Sequence, residues 1–554
     1  MQVGTGRLVK GTLLVSAGRA VDSVSALAFS IIVARTLGGD YGYVSAAMGI
    51  WGIINIVSTM GVPNANIKCV ADLTARGGGR EARVSVRRTM LLEGVLTGMA
   101  ALILYLLAAP IAEGVFGKPG LAGPLRVVSP MLFVAGLGGV WLSTFQGLHR
   151  YGYFATIISL NPLVRLGSAV AFLALGWGVQ GALLGFLVGH VAALLVGTAM
   201  GAALLARDLA LGGSGEVAGA GAGAGAGEGA DEGAVGNGRA ECVAPTYGGL
   251  LSFGAAVTVG NLAVVVFEWA DKLMLAAWRP IGEVAVYTVA YGMVAVPLVL
   301  PRSVNIAFYP LVSTLHGKGD SAGLKRATEQ VMRLTLMVMG FVTFTMMAVA
   351  PWLVGLLYGD VFAGSVGPFM VLALWGFIRP IGLLALSIPQ GMGRPMVGTT
   401  AMVLTMCLNI ALNAALIPRY GNMGAAVGTT VSYIIGNSYL AHVAFKMAGA
   451  HFPWDGAARA LGSAVAAAAV VVALRYLLPG LTATSPALVL LPAILVAGFL
   501  ALGLYMLFLG LSRAVREDDV AFVGGMGFFG SRTLSRVVAF LVAMRPKGDG
   551  AGAK

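Results

Sequence analysis

Five ionisable residues lie within stretches that are otherwise apolar, and four of them are arginines: Arg19, Asp22, Arg165, Arg302 and Arg379. Arginine stays charged when it is removed from water, and its planar guanidinium group can donate two parallel hydrogen bonds to a phosphate. Because an ionised group at membrane depth is costly, each residue is a candidate site for an anionic ligand. Arg19 and Asp22 are three residues apart and share one helix face, so an ion pair between them is the alternative.

Three of the four arginines lie within three residues of a proline: Arg165, Arg302 and Arg379. A proline removes a backbone hydrogen bond and kinks a helix, which is tolerated where the helix faces protein or water instead of lipid. We therefore expect these arginines to face an internal cavity. For each of them, the alternative is an ion pair that holds two helices together.

Four residues are candidates for ion coupling or gating: Asp22, His190, Glu268 and Asp271. Carboxylates and histidine suit such a role because their protonation can change. Glu268 and Asp271 lie with Lys272 near the end of one apolar stretch, where a local ion-pair network is the alternative. His190 lies in the middle of a stretch, where the alternative is a hydrogen-bonded contact between helices.

The elements that carry these residues are predicted to be membrane-spanning helices. Hydrophobic residues make up 58% of the 554 and charged residues 11%, and the mean hydropathy is +0.87. This composition is too apolar for a soluble chain of this length. A span needs about 20 mostly apolar residues. The fold class is therefore an all-α polytopic membrane protein.

Fourteen stretches meet the length requirement, arranged as six, six and two. Their approximate bounds are 10–36, 42–62, 89–109, 127–148, 154–176, 181–206, 248–276, 284–310, 331–350, 366–388, 396–417, 424–446, 459–478 and 486–510. Glu93 lies about five residues into the third stretch, so its carboxylate is predicted to reach water at the inner surface.

The positions of the basic residues predict the orientation. If the N-terminus is cytoplasmic, most of the 36 Lys and Arg lie in cytoplasmic loops and tails. Both termini are then cytoplasmic in the cell membrane. The net charge of +13 is explained by binding to anionic membrane lipids, and no nucleic-acid partner is expected. Outer loops are short, and no phosphate-binding loop or metal-ligand cluster is present, so we expect no enzyme activity, cofactor or metal site.

Three short motifs recur in the same order at nearly one offset. Gln146–Arg150 recurs as Gln390–Arg394, offset by 244, and Gly178-x-x-Gly181-Ala182 recurs at Gly421, offset by 243. Asp40 with Ser45 recurs as Glu283 with Thr288, again offset by 243. This pattern indicates a duplication and hence two membrane lobes, the layout of an alternating-access transporter. The charged candidates are not duplicated, so the lobes share a scaffold but not its chemistry.

The repeats define the domain organisation. Residues 1–206 form an N-terminal lobe, 248–447 a C-terminal lobe, and 448–510 carry the last two spans. Residues 207–247 are rich in Gly and Ala and predict a flexible cytoplasmic linker. Residues 511–554 form a basic cytoplasmic tail, in which Arg532 and Arg536 suggest an amphipathic helix on the membrane surface.

Several segments resemble one family of exporters. They are Ala34–Gly38 near the start of the first lobe, Asp271–Leu275 and Gly282–Tyr287 near the start of the second, and the Asn- and Gly-containing stretch Leu408–Ala426. Together with the span count, they are similar to Wzx-like polysaccharide flippases of the multidrug/oligosaccharidyl-lipid/polysaccharide exporter superfamily. The resemblance covers roughly residues 8–510.

The resemblance implies that a lipid-linked oligosaccharide or polysaccharide precursor is flipped across the cytoplasmic membrane by alternating access. It also implies a cationic central cavity for the phosphate of the substrate, with Arg19, Asp22 and Arg302 on helices that carry such charges in relatives. Glycan-assembly enzymes are then candidate partners, and we expect a monomer. The alternative is a cation-coupled multidrug antiporter with Asp22 as its coupling carboxylate. A membrane enzyme of glycan assembly is disfavoured because no large outer loop is present.

Overall fold

The fold is all-helical. A computed structural model describes residues 2–207, 247–477, 486–512, 514–515, 519 and 531–543. Its helices are α1 Gln2–Leu37, α2 Tyr41–Thr59, α3 Val62–Ala75, α4 Gly79–Pro110, α5 Ala122–Gly147, α6 Tyr151–Ala174, α7 Gly178–Arg207, α8 Tyr247–Trp278, α9 Ile281–Ala295, α10 Val299–Gly317, α11 Ser321–Tyr358, α12 Val366–Gly391, α13 Met396–Met447, α14 Trp454–Leu477, α15 Ala487–Leu511 and α16 Ser531–Ala543. Short 3₁₀ helices cover Gly38–Asp40, Pro119–Leu121 and Asp360–Ser365, and a π-helix covers Ile111–Val115.

Among the described residues, ten helices are long and apolar enough to cross a membrane, or eleven if α9 and α10 form one bent span. A multi-pass membrane protein is thereby confirmed, whereas the count of fourteen stays a prediction. One of the ten candidates, Ala17–Thr59, contains the break at Gly38–Asp40 between α1 and α2. Another, α13, contains a non-helical residue at Gly421, with φ 55° and ψ −132°.

Proline breaks only one of the helices that carry a candidate arginine. α9 and α10 are bent by 48° around Pro297, which cannot donate a backbone hydrogen bond. This bend lies five residues before Arg302, and α10 continues through Pro301, the proline next to that arginine. Likewise, α6 continues through Pro162 and α12 through Pro380.

The helices form two compact units. The first comprises Met1–Gly292 and Met402–Gly428, and the second comprises Met293–Ala401 and Thr429–Lys554. In the first unit, α4 packs on α5, α6 on α1 and α7, and α8 on α2 and α3. In the second, α11 packs on α12, α14 and α15. These units divide the second half of the chain differently from the lobes inferred from the repeats, and the lobe boundaries stay a prediction.

The recurring motifs fold in the same way. After α5, His149 has φ 54° and the Arg150 amide donates to the Phe145 carbonyl at 2.8 Å. After α12, Gly393 has φ 74° and the Arg394 amide donates to the Pro389 carbonyl at 2.7 Å. Both are the left-handed cap that ends a helix with a six-to-one hydrogen bond. The two copies of the second motif also share a backbone conformation, since Gly178 and Gly421 both have φ 55°.

The predicted linker, residues 207–247, lies outside the described residues except for its two ends. The predicted tail is described in part. Its amphipathic helix α16 buries Val538 and Leu541 in a cluster with α11, α14 and α15, and upstream of it Asp519 is fully buried in an ion pair with Arg333 of α11. This packing was not predicted from the sequence.

Candidate functional site

In the first unit, the structure brings together two of the candidate charges from helices far apart in the chain. The Arg165 guanidinium of α6 donates to the Asp22 carboxylate of α1, with 3.4 Å between Nη2 and Oδ1. The Arg165 side chain is 13% exposed and the Asp22 side chain 55%. The pair therefore has one partly buried member and one exposed member, so a ligand could compete for the carboxylate or approach the cation from the open side.

Aromatic rings hold the buried guanidinium in place. Its Cζ atom lies 4.9 Å from the ring centroid of Phe186 and 5.8 Å from that of Phe29, and the two rings contact each other edge to face. Cation–π attraction of this kind compensates part of the lost hydration of an arginine. Arg165 Nε has no hydrogen-bond partner among the described residues. The cation is thus positioned but retains a donor that is not satisfied.

His190 adjoins this pair through Phe186. Its Nδ1 atom lies 2.8 Å from the Phe186 carbonyl oxygen, one helical turn earlier in α7. Its ring lies 5.7 Å from the ring of Trp51 in α2. The hydrogen bond of His190 therefore lies within α7, and its contact with another helix is the ring contact with Trp51. Both the coupling role and the alternative, a hydrogen-bonded contact between helices, stay predictions.

Two polar groups of α2 beside this region were missed in the sequence. Trp51 Nε1 and Asn55 Oδ1 are buried and have no hydrogen-bond partner among the described residues. They are four residues apart and therefore share a helix face. In the sequence, these groups are visible only as a Trp and an Asn one helical turn apart in an apolar stretch. The structure links them to the site because Trp51 contacts the ring of His190.

Arg19 lies one turn before Asp22 on α1 and is partly exposed. The backbone carbonyl of Arg19 accepts a hydrogen bond from Ser23 Oγ at 3.0 Å. Gly18, next to it, allows Ile158 and Ser159 of α6 to approach α1 closely. Arg19 and Asp22 therefore lie on the stretch of α1 that packs against the helix carrying Arg165.

A second cluster joins α8 to α9 in the first unit. Asp271 is buried and accepts hydrogen bonds from the Tyr287 hydroxyl and from the backbone amide of Lys272, the latter at 2.8 Å. The Lys272 ammonium lies 4.4 Å from the ring centroid of Trp269 and 4.1 Å from that of Tyr291. It is also 3.5 Å from the Glu268 carbonyl oxygen. The segments Asp271–Leu275 and Gly282–Tyr287 are thus joined by the hydrogen bond from Tyr287 to Asp271.

The aromatic part of this cluster was not predicted. An ammonium between two ring faces is stabilised by their negative quadrupoles, and Asp271 and Glu268 also attract it electrostatically. The sequence placed Glu268, Asp271 and Lys272 together because they are near neighbours. It did not predict that two tyrosines would contact them. Tyr287 lies 16 positions after Asp271 in the chain, and Tyr291 lies 19 positions after Lys272.

The other two candidate arginines belong to the second unit. Arg302 is partly exposed on α10, directly after the bend at Pro297. Three residues later on α10, Asn305 accepts a 2.6 Å hydrogen bond from Ser387 of α12. Arg379 of α12 places its guanidinium 5.1 Å from the ring centroid of Trp375, one turn earlier. These two arginines are therefore carried by neighbouring helices, since α10 packs on α12.

Residues related by the internal repeat touch each other in the first unit. Thr288 Oγ1 of α9 donates to Ser45 Oγ of α2 at 2.8 Å, and these residues are repeat mates. Gly39 and Gly282, which are also repeat mates, approach so closely that a Cβ on Gly39 would lie 3.7 Å from the Gly282 Cα. A residue that contacts its own symmetry mate lies on the axis relating them. A pseudo-twofold axis of the predicted duplication would therefore pass between the starts of α2 and α9.

We expect a cysteine pair at these positions to cross-link. Replacing Ser45 and Thr288 by Cys, with the three native cysteines changed to Ala, places two thiols at a separation suited to a disulfide, which needs about 3.5–4.5 Å between Cβ atoms. Mild oxidation should join the two halves after proteolytic cleavage between them, as seen on a gel. The matched control is Ser58→Cys with Thr288→Cys, because Ser58 is about 20 Å further along α2. Equal cross-linking in both variants would contradict the axis.

The described residues contain no group of three or more His, Cys, Asp or Glu side chains arranged to hold a metal ion. The chemistry available at these clusters is ion pairing, cation–π contact and hydrogen bonding. Such groups bind and orient a charged ligand. All of them lie on helices of an all-helical chain that crosses the membrane several times, so the class that the fold and the clusters define is a multi-pass membrane protein.

Comparison with known proteins gives the family. Residues 8–316, more than half of the chain, match the family described as polysaccharide biosynthesis protein, and the chain belongs to this family. Residues 256–415 also match the MatE family.

Relatives match over different lengths. The probable low-salt glycan biosynthesis flippase Agl15 of Haloferax volcanii is 20% identical over 35% of this chain and 41% of its own length. The chain therefore spans less than half of that relative. Stage V sporulation protein B of Bacillus subtilis is 22% identical over 77% of this chain and 81% of its own length. Among solved structures, lipid II flippase MurJ in an inward closed conformation has a TM-score of 0.63 at 12% identity, covering 90% of this chain and 98% of that one. The similarity to the MurJ structure is a similarity of fold.

Proposed function

We propose that this protein is a transporter that flips a lipid-linked oligosaccharide or polysaccharide precursor across the cytoplasmic membrane by alternating access. The observation that carries the proposal is the set of intramembrane arginines in a chain of the polysaccharide biosynthesis protein family. Lipid-linked glycans carry a phosphate or pyrophosphate at the point of attachment, and a guanidinium group is suited to its oxygens. The flippase names of Agl15 and MurJ agree with this function.

The accessible Asp22–Arg165 pair supports a binding role for α1 and α6. In an ion pair with a purely structural role, the attraction compensates the cost of desolvation best when both members are enclosed and fully hydrogen-bonded. Here the carboxylate is more than half exposed and the guanidinium retains an unsatisfied Nε. We infer that Arg19, Arg165, Arg302 and Arg379 supply the positive charge of the substrate cavity, and that Asp22 orients its cationic neighbours.

Alternating access is supported by the duplication. Two halves that meet at Ser45 and Thr288 on a pseudo-twofold axis can rock about that point, closing one side of a shared cavity as the other opens. We infer that the lobes are residues 1–206 and 248–447, joined by the linker 207–247. Residues 448–510 add two spans, and 511–554 form the cytoplasmic tail.

We also infer fourteen spans. Of the ten candidate spans, Ala17–Thr59 is divided at Gly38–Asp40 and α13 is divided at Gly421, which gives twelve. The bent pair of α9 and α10 counts as one more span, and α8 is the fourteenth. An even number of spans puts both termini on one side, which the basic residues assign to the cytoplasm. Anionic lipids would contact that side, and glycan-assembly enzymes are candidate partners of a transporter that acts as a monomer.

The direct test is flipping of a fluorescent lipid-linked oligosaccharide by purified protein in liposomes. Reduction of the fluorophore by a membrane-impermeant reagent reports the fraction in the outer leaflet. We expect the protein to make the inner-leaflet pool accessible, whereas protein-free liposomes should not. Uptake of a cationic dye in place of glycan-lipid flipping would instead support the multidrug antiporter, the alternative suggested by the MatE match.

Asp22→Asn separates the two candidate functions. Asn keeps the size and an acceptor oxygen for Arg165 but cannot bind a coupling proton or cation. If Asp22 orients arginines, flipping should fall by less than about tenfold, because only the charge-assisted part of one hydrogen bond is lost. If Asp22 is the coupling carboxylate of an antiporter, transport should be abolished. Asp40→Asn, an exposed acidic residue on the same unit, is the matched control in the liposome assay.

A further inference from the structure

Glu93 is a buried carboxyl group that the proposed substrate site does not use. The sequence predicted that it reaches water, but the residue is 0% exposed. The prediction was wrong because α4 begins at Gly79, ten residues before the predicted span, so Glu93 is the fifteenth residue of a 32-residue helix. That position lies about 20 Å from the start of the helix.

Glu93 belongs to a buried polar stripe on one face of α4. Ser85, Thr89, Glu93 and Thr97 follow one another at intervals of four residues, and all four are 0% exposed. Residues four apart lie one above the other on a helix. The stripe therefore extends from near the arginine-rich start of α4 towards its middle, on the side that packs against α5 and α3.

The turn before Glu93 is fully hydrogen-bonded to other helices. Asn66 of α3 accepts a hydrogen bond from Thr89 Oγ1 at 3.3 Å and donates to Ser143 and Thr144 of α5 at 2.9 and 3.0 Å. The turn after it is also satisfied, because Thr97 Oγ1 donates to the Glu93 carbonyl at 2.5 Å. Glu93 therefore lies between two turns of α4 whose threonine hydroxyl groups are hydrogen-bonded.

The carboxyl group itself has no partner. Neither oxygen of Glu93 forms a hydrogen bond, and the residue forms no ion pair among the described residues. Glu93 pairs with none of the other ionisable groups on α4 or on the helices and turns packed against it. These groups are Tyr41, Tyr43, Lys68, Asp72, Arg80, Glu81, Arg83, Arg87, Arg88, Tyr105, Glu113, Arg126, Tyr247, Glu268, Asp271 and Lys272. An ionised carboxylate is not stable in such surroundings, whereas the neutral acid is.

We propose that Glu93 is a proton-binding site in the membrane part of the first unit. In the conformation seen here, the side chain is the neutral acid, with its proton taken from water. Loss of the proton to water leaves a carboxylate that requires hydration. That hydration requires α4 to separate from α5, and the stripe from Ser85 to Thr89 supplies hydroxyl groups along which water can enter.

The consequence for transport rests on the proposed function. If the unit opens and closes during flipping, binding and release of the Glu93 proton are tied to those two states. Flipping is then coupled to a proton gradient through a residue that is not among the arginines proposed to bind the substrate. The proton-binding part of the inference holds whether or not the substrate is a lipid-linked glycan.

The proton is tested by infrared spectroscopy on the full-length protein in lipid. A protonated carboxylic acid has a C=O stretching band that carboxylates lack. Wild-type protein should show this band at neutral pH, and Glu93→Gln should lose it. Glu113→Gln, which removes an exposed glutamate just after α4, is the control and should retain it. Absence of the band in wild-type protein, or its loss on adding NaCl, would overturn the proposal, the latter in favour of a sodium site.

Coupling is tested in the liposome assay. In wild-type protein, a pH gradient of one unit should shift the ratio of fluorescent lipid between the two leaflets by up to about tenfold. The reason is that one pH unit is a tenfold ratio of proton concentrations, and the coupling of one proton to each flipped lipid can impose the same ratio on the lipid. Glu93→Gln should still flip the lipid but show no shift. Gln resembles the neutral acid, so the melting temperature should match that of wild type, which verifies folding. An undiminished shift in Glu93→Gln would overturn coupling, whereas failure of wild-type protein to flip the lipid would reject the proposed function and leave the infrared result to decide the proton site.

Discussion

Replacing both Arg19 and Arg302 by alanine is expected to reduce flipping of a lipid-linked oligosaccharide by at least about 100-fold. A hydrogen bond to a charged group contributes about 1.5–3 kcal/mol, and loss of one on each arginine multiplies the two effects. The two residues are carried by different units of the fold.

Lysine variants separate charge from geometry. Arg→Lys at either position keeps the positive charge but loses the planar pair of donors, so activity should lie between wild type and the alanine variant, about tenfold below wild type. Arg126→Ala, an exposed arginine near the start of α5, is the matched control and should retain activity. Full flipping by the Arg19→Ala, Arg302→Ala protein at normal expression would refute a phosphate-binding role for this pair.

Asp271→Ala is expected to cause the largest loss of stability. Removal of this carboxylate leaves the buried Lys272 ammonium without the anion that attracts it most strongly and the Tyr287 hydroxyl without its acceptor. Loss of one member of a buried charge pair costs about 3–5 kcal/mol, which corresponds to a decrease of about 6–10 °C in melting temperature. Thermal unfolding of the detergent-solubilised protein, followed by circular dichroism, measures this change.

Two further variants identify the cause. Asp271→Asn keeps the shape and an acceptor for Tyr287, so its loss should be smaller than that of Asp271→Ala. Combining Asp271→Asn with Lys272→Met removes the unpaired cation, and this double variant should be more stable than Asp271→Asn alone. Asp455→Ala, an exposed acidic residue at the start of α14, is the control. An unchanged melting temperature for Asp271→Ala would show that Lys272 is held by its aromatic rings alone.

Features that depend on neighbouring residues were readable from the sequence. Apolar stretches became helices because each span satisfies its own backbone hydrogen bonds and needs only local hydropathy. The bend at Pro297 follows from the missing amide of proline. Equivalent caps at Arg150 and Arg394 follow from similar short motifs, because a helix cap depends on a few consecutive residues.

The sequence also indicated which charges matter, since an ionisable residue in an apolar stretch is visible by composition alone. It did not indicate their partners. For Asp22, an ion pair with Arg19, three residues away, was the alternative to ligand binding, whereas the structure pairs Asp22 with Arg165 at a separation of 143 residues. Tyr287 and Tyr291 were part of a recognisable motif, yet their contacts with Asp271 and Lys272 became apparent only when α9 was seen beside α8.

Burial within the membrane was decided by tertiary structure alone. In a soluble protein, the apolar face of a helix marks its buried side, whereas in a bilayer the lipid-facing and protein-facing sides are both apolar. The sequence therefore could not show that Glu93 faces α5, that Ser45 meets Thr288, or that Asp519 of the tail enters the bundle to pair with Arg333. Those positions depend on which helices pack together, and helix packing is fixed by contacts between residues far apart in the chain.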